Sequence, residues 1–241
     1  MVAMLLVMPM AGCNKYDKEG AMDMPGVALT FDDNSIDNWY SYMPLLDSFG
    51  VKATFYISAY HKLSRDQKEK LHDIQSRGHE IAFHTTNHYD MVSLLGRLKM
   101  KDLMESEIYQ DLKKMNRDGF YPHTFAYPYG SHNEYLDHEL CKLFKSVRAL
   151  NGSNNFTKSF TRGCSNKVLY AIGIDNDRRS LGKIEYLMDC AYKNRNCLSL
   201  VGHQIQKADA KFQVSYEKLK AILEKAKSLD MRFYTVSEVS L

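Results

Sequence analysis

Short runs rich in β-branched and aromatic residues alternate with longer amphipathic stretches along most of this 241-residue chain. Such an alternation is what parallel βαβ units require. It predicts strands over about 27–30, 52–57, 80–83, 124–127, 146–150, 167–174, 197–201 and 231–236. Between them it predicts helices over about 36–49, 67–77, 98–118, 133–144, 181–193 and 216–229. Gly50, Gly78 and Gly119 stand where three of these helices stop, the position where glycine relieves the left-handed turn of a helix end. Seven or so such units suit a closed α/β barrel, and the absence of a linker rich in Pro, Gly or Ser argues for a single domain over 23–241.

Composition excludes some roles. Hydrophobic residues make up 44% and charged residues 25%, and 32 Lys and Arg against 29 Asp and Glu leave a formal charge of only +3. No run of like charge suggests a nucleic-acid partner. Residues 1–12 are uncharged and mostly apolar and end in Met10-Ala11-Gly12-Cys13, similar to the lipobox of a bacterial lipoprotein signal, although the usual basic start is missing. The segment is too short to span a bilayer, which takes about 20 apolar residues. The expectation is that residues 1–22 form a signal segment and tether, that Cys13 carries a lipid, and that the domain is exported and held at the membrane only through that anchor. Cys141, Cys164, Cys190 and Cys197 form no CxxC pair, which leaves a thiolate metal site without support. They could hold one disulfide or remain buried thiols.

Active residues of α/β barrels follow the C-terminal ends of strands, and four polar clusters fall there. Thr30-Phe31-Asp32-Asp33 offers two adjacent carboxylates, one able to bind a metal while the other takes a proton; a turn or helix cap is the plainer reading. His84-Thr85-Thr86-Asn87-His88 puts two imidazoles four residues apart, on one face if the segment is a helical turn. Two imidazoles, one carboxylate and open positions make a catalytic metal set of the zinc-hydrolase kind. Tyr127-Pro128-Tyr129-Gly130 fixes a tight turn that can aim a backbone N–H at an oxyanion. His203, ending a strand, could act as a general acid, oriented by Asp175 or Asp177.

In this order the residues resemble the polysaccharide deacetylases, the NodB-homology domain of carbohydrate esterase family four. Thr30-Phe31-Asp32-Asp33 resembles the first motif, and Gly78-His79-Glu80-Ile81 leading into His84 and His88 resembles the second. Gly50-Val51-Lys52-Ala53-Thr54-Phe55 is also similar to the family. The resemblance implies a distorted (β/α)7 barrel that removes acetyl groups from an N-acetylated sugar. It implies Asp32 as catalytic base, Asp33, His84 and His88 as ligands of one divalent metal, Tyr129 as backbone oxyanion donor, and His203 as general acid assisted by Asp175. Zinc is the first expectation for the metal, with cobalt, nickel and manganese as alternatives.

The chain also departs from the pattern. Ala126 stands where the third motif has an arginine that pairs with the catalytic carboxylate. We expect Arg148, on the next strand, to take its place, with Arg162 in reserve. Arg178 follows Asp175-Asn176-Asp177 where the fourth motif has a tryptophan, and Gln204 follows His203 where the family often has Asp. Three other readings compete: an O-acetyl esterase on xylan-like polymers, a hydrolase of small cyclic amides, and a carbohydrate-binding lipoprotein with a decayed site. Trp39, Tyr40 and Tyr42 could stack on sugars, but their helical spacing favours core packing. Polymer identity and oligomeric state are not legible in the sequence.

Overall fold

The computed structural model describes residues 24–161, 167–206 and 210–240. The lipobox-like segment with Cys13, the reserve Arg162 and Cys164 lie outside the described residues. Seven parallel strands close into a barrel: β1 (Gly26–Asp33), β2 (Ala53–Ile57), β3 (Glu80–Phe83), β4 (Thr124–Ala126), β5 (Ser146–Leu150), β7 (Val168–Gly173) and β8 (Cys197–Gly202). β8 returns to β1, pairing Gly26 with Cys197 through Phe31 with Gly202. A two-residue β6 (Phe160–Thr161) runs antiparallel beside β8. A small ribbon, β9 (Gln204–Gln206) with β10 (Gln213–Ser215), stands over the mouth, and β11 (Arg232–Phe233) pairs with β1. The closure is uneven. β3 meets β4 through the single pair Phe83 and Phe125, whereas β1 and β8 share six pairs. This is the distorted barrel expected from the sequence.

Strand alternation sorts the side chains. Val27, Leu29, Phe31, Phe55, Ile81, Phe83, Phe125 and Leu200 pack against helix residues such as Trp39, Ile74, Ile108, Leu136, Ile184 and Leu223 in one buried cluster. Each large apolar side chain so buried is worth about 1.5–3 kcal/mol. Their neighbours face the lumen, which is unusually polar. Thr30, Asp32, Thr54, Glu80, His84, Thr124, Ser146, Arg148 and Ser199 are all buried. Ala28, Tyr56, Ala82, Ala126, Leu169 and Cys197 form a second cluster with Tyr234, Val236 and Val239, so residues 234–240 make the floor. Glu80 organises that floor, accepting from Thr54 Oγ1 at 2.9 Å, Thr124 Oγ1 at 2.8 Å and the Ser237 N–H at 3.0 Å.

The outer helices are α1 (Ile36–Ser41), α2 (Met43–Ser48), α3 (Arg65–Ser76), α4 (Met91–Leu95), α5 (Met100–Met104), α6 (Gln110–Arg117), α7 (Glu134–Leu140), α8 (Leu181–Lys193) and α9 (Tyr216–Ser228). The helix expected over 36–49 is broken at Tyr42, because Pro44 in the first turn of α2 cannot continue the preceding helix. The long helix expected over 98–118 contains a π turn at Glu105–Tyr109 between α5 and α6. The strand expected over 231–236 shrinks to β11: beyond Phe233 the chain turns under the barrel, and the Val236 N–H goes to Thr54 Oγ1 at 2.9 Å. Trp39 is fully buried, as its helical spacing suggested.

Candidate active site

All four expected clusters meet at the C-terminal mouth of the barrel. Asp32 and Asp33 end β1, one facing the lumen and the other the rim. His84 follows β3, and its Nδ1 lies 2.8 Å from the Ala126 carbonyl. Only an N–H can donate to that oxygen, so Nε2 carries the lone pair and points towards Asp33 Oδ1, 3.8 Å away. His88 Nε2 lies 3.1 Å from the same oxygen. The donor atoms of Asp33, His84 and His88 all lie within 4.8 Å of one another. Burial lowers the pKa of His84 to about 4, which keeps it neutral and able to coordinate. Burial also works against the charge on Asp33, but the hydrogen bond from His88 and the nearby imidazoles outweigh it, leaving the carboxyl at about 2. A neutral imidazole with its outer nitrogen tied to a carbonyl, beside an ionised carboxylate, suits a divalent metal.

The two histidines are not on a helix, contrary to the expected helical turn. The segment between them is an irregular loop in which Thr85 and His88 have φ of 66° and 59°. Glu107, inside the π turn, imposes that shape. It is buried, and its carboxylate accepts from the Asn87 N–H at 3.0 Å and from Asn87 Nδ2 at 2.8 Å, while its carbonyl takes the Thr86 N–H at 2.9 Å. Asp33 and Tyr129 also lie at positive φ, 87° and 60°. Residues held in this region cost on the order of 1–3 kcal/mol each and collect at functional sites. Nothing in the spacing of Glu107 announces its task; a π turn interrupts a helical pattern without altering its composition.

Arg148 fills the place left by Ala126. The two residues are direct neighbours on β5 and β4, so a cation moved from one strand to the next still reaches the same carboxylate. Arg148 is 1% exposed, donates from Nη2 to Asp32 Oδ2, and lies with its guanidinium 5.2 Å over the Tyr56 ring. Asp32 Oδ1 has no hydrogen-bond partner among the described residues.

His203 follows β8. Its Nδ1 lies 2.7 Å from Asp175 Oδ2, and its N–H donates to Asp175 Oδ1 at 3.1 Å. Burial works against the imidazolium, but the Asp175 hydrogen bond and the charges of Asp32 and Asp33 prevail, and the pKa rises above 6.5. Asp177, the other candidate partner, instead accepts from the Phe212 N–H at 3.4 Å and stands 3.9 Å from Arg178. Two α1 residues fix this corner: Trp39, read in the sequence as a core or sugar-stacking ring, and Asn38, which sequence reasoning did not single out. Trp39 Nε1 donates to the His203 carbonyl at 2.7 Å, and the Asn38 amide exchanges two hydrogen bonds with the Ile205 backbone. The ring of Tyr129, 65% exposed, stands edge-on to His88 at 4.9 Å. Gly130 has φ of 72° and lies so close to Leu150 that a Cβ would come within 2.4 Å of it.

Comparisons with known proteins point to one family and one fold. The family model described as polysaccharide deacetylase matches residues 19–143. YxkH of Bacillus subtilis (strain 168), whose name places it provisionally among the polysaccharide deacetylases, is 29% identical over 115 residues, 45% of this chain and 38% of that protein. The chain thus spans well under half the length of that curated relative. Among solved structures, the chitin deacetylase of the fungal pathogen Colletotrichum lindemuthianum superposes with a TM-score of 0.66 at 15% identity, covering 92% of this chain and 89% of that one. A family 4 carbohydrate esterase from Streptomyces lividans, in complex with acetate, superposes with a TM-score of 0.61 at 18% identity, covering 90% and 95%. The catalytic domain of a peptidoglycan N-acetylglucosamine deacetylase from Eubacterium rectale reaches 0.54 at 17% identity, covering 90% and 91%. At these identities the superpositions speak for the fold.

Proposed function

The chain belongs to the polysaccharide deacetylase family, and from that premise we propose that it hydrolyses the acetamide of an N-acetylated sugar at the mouth of the barrel. The observation that carries this reading is the convergence of Asp32, Asp33, His84, His88 and His203, from three separate strand ends, around one point. Asp33, His84 and His88 would hold one divalent metal, zinc being the first choice for two imidazoles and a carboxylate. Such an ion polarises the acetyl carbonyl and lowers the pKa of water from 15.7 towards about 7.

The chain's own residues supply the rest. Arg148 donates to Asp32 Oδ2 and fixes the carboxyl group, whose partner-free Oδ1 takes the proton of the attacking water. The new C–O bond makes a tetrahedral oxyanion, to which the Tyr129 N–H donates. Asp175 fixes Nδ1 of His203, so Nε2 is the atom that delivers a proton to the leaving nitrogen as the C–N bond breaks. Acetate and the free amine result. An amine leaves more readily once protonated, so loss of His203 harms amides more than esters.

An exported barrel tethered through a lipid on Cys13 remains part of the proposal, supported by Met10-Ala11-Gly12-Cys13. The deciding experiment uses protein stripped with a chelator and assayed for acetate release from N-acetylated chito-oligomers, peptidoglycan and acetylated xylan, with and without zinc or cobalt. Release restored by metal and reduced about 10²–10⁴-fold in Asp32→Asn is the expected result. Release from xylan alone would move the activity to O-acetyl esters. Tight binding of one metal without release from any substrate would favour a carbohydrate-binding role.

A further inference from the structure

The cavity beside His203 is the least conventional part of the mouth. It encloses about 160 Å³, and its walls include Asn151, Asp175, His203 and two arginines, Arg178 and Arg179. Arg178 occupies the position after Asp177 where the family pattern has a tryptophan. Its aliphatic stem lies against Gly173, where a Cβ would meet it at 3.0 Å, so the glycine makes room for the arginine. Its guanidinium lies 5.4 Å over the Phe212 ring, which also stands edge-on to His203 with centroids 5.6 Å apart.

The two guanidiniums have unspent hydrogen-bonding capacity. The nearest carboxylate to Arg178 is Asp177, at a loose 3.9 Å, and Arg179 has no carboxylate partner among the described residues. Arg179 instead lies 5.6 Å over Phe156, a ring that Lys183 also approaches at 4.6 Å. Three cations thus gather on two exposed or half-exposed rings along one flank of the cleft, while the buried Asp175 carboxylate in the same wall is engaged by His203. Guanidinium groups held flat on aromatic faces keep their edge N–H groups free for planar, two-point recognition of carboxylates and related oxyanions.

We propose that this flank selects acetylated sugars bearing an anionic group, a carboxylate or a sulfate or phosphate ester, next to the acetylated position, with Arg178 as its principal contact and Arg179 as its second. The inference rests on the deacetylase reading and adds a substrate class to it. Asp32, Asp175 and His203 perform the reaction, and the two arginines determine which sugar is positioned for it.

The test compares acetate release from three oligomer families: neutral N-acetylated chito-oligomers, alternating N-acetylglucosamine–glucuronate oligomers, and O-sulfated chito-oligomers. The expected result is a kcat/KM preference of about 10- to 100-fold for an anionic family over the neutral one, the size of a hydrogen bond to a charged group. The preference shrinks as salt rises, and the uronate and sulfate arms identify the source of the charge. Arg178→Gln should remove most of it, Arg178→Lys should keep part, and Gly173→Ala, which displaces the stem without removing the charge, should reduce it. Turnover of all three families at equal kcat/KM, or a preference unmoved in Arg178→Gln, overturns the proposal and leaves the deacetylase reading intact. Acetate release from none of them, and none from peptidoglycan, defeats the deacetylase reading instead. Calorimetric titration of the same oligomers then decides the inference, which falls if anionic oligomers bind no tighter than neutral ones or if Arg178→Gln leaves their affinity unchanged.

Discussion

Arg148 and Asp32 are almost wholly buried together, and neither has another ionic partner among the described residues at comparable range. Arg148→Ala leaves a buried carboxylate without its counter-charge, a loss of about 3–5 kcal/mol that denaturant unfolding should register along with a collapse in turnover. Because Ala126 is the direct cross-strand neighbour, the double variant Ala126→Arg, Arg148→Ala should recover part of both quantities. Failure to recover either would show that the position of the cation, and not its presence, is what matters. His203 makes a separate prediction. Although burial works against the charge, the Asp175 hydrogen bond and the nearby carboxylates raise its pKa above the ordinary imidazole value in the folded chain. Under the proposed general-acid role the alkaline limb of kcat is therefore displaced to higher pH than a free imidazole would give. Asp175→Asn removes the hydrogen bond and one of the charges that raise it, so the limb should move to lower pH; an unmoved limb would assign it to another group. The sequence pointed to Asp32, Asp175 and His203 because each stands at or just past the end of an apolar strand, and to Arg148 as the stand-in for the arginine that the family resemblance implies at Ala126. It mispaired only Asp177, which stands two residues along from Asp175 but turns to the Phe212 backbone.

Within the elements, α1 does more than cover the barrel. Its Trp39 packs on Phe31 and Phe55 with centroids at 6.4 and 5.2 Å and holds the His203 carbonyl. Trp39→Phe keeps an aromatic ring but loses that hydrogen bond, a cost of about 1 kcal/mol, with kcat for amides falling more than the melting temperature suggests. Gly130→Ala combines positive φ with a Cβ thrust against Leu150. It should displace the Tyr129 N–H and lower kcat with little change in KM, which steady-state kinetics can resolve. The strands were legible because buried parallel strands read as apolar runs, and β3, β5 and α8 match their expected bounds. Elements set by tertiary context were not. The break at Tyr42 needed the weight of Pro44, the His84–His88 loop takes its shape from Glu107 some twenty residues on, and α4 and the ribbon of β9 and β10 are too short to carry a period of their own.

For the whole molecule, floor and mouth are chemically separate. The donor atoms of Asp33, His84 and His88, the set proposed to hold a metal, lie at the mouth, while Glu80 and residues 234–240 close the other end. Chelation should therefore abolish acetate release yet leave the far-ultraviolet circular dichroism unchanged, with the melting temperature lowered only by the binding free energy lost. Removing residues 234–240, which takes Tyr234, Val236 and Val239 out of the lumen, should abolish cooperative unfolding altogether. The barrel order was foreseeable from the alternation of elements, but the floor was not, because residues 231–236 read as one more strand. That floor also bears on the timing of synthesis. β1 hydrogen-bonds to β8 and β11, and its cylinder is sealed by a segment made some two hundred residues after it. The cylinder therefore cannot close before residues 197–240 have been made, since its first strand waits for β8, β11 and the floor. Folding of the barrel is thus governed by pairings some two hundred residues apart, a topology that closes more slowly than one built from local contacts.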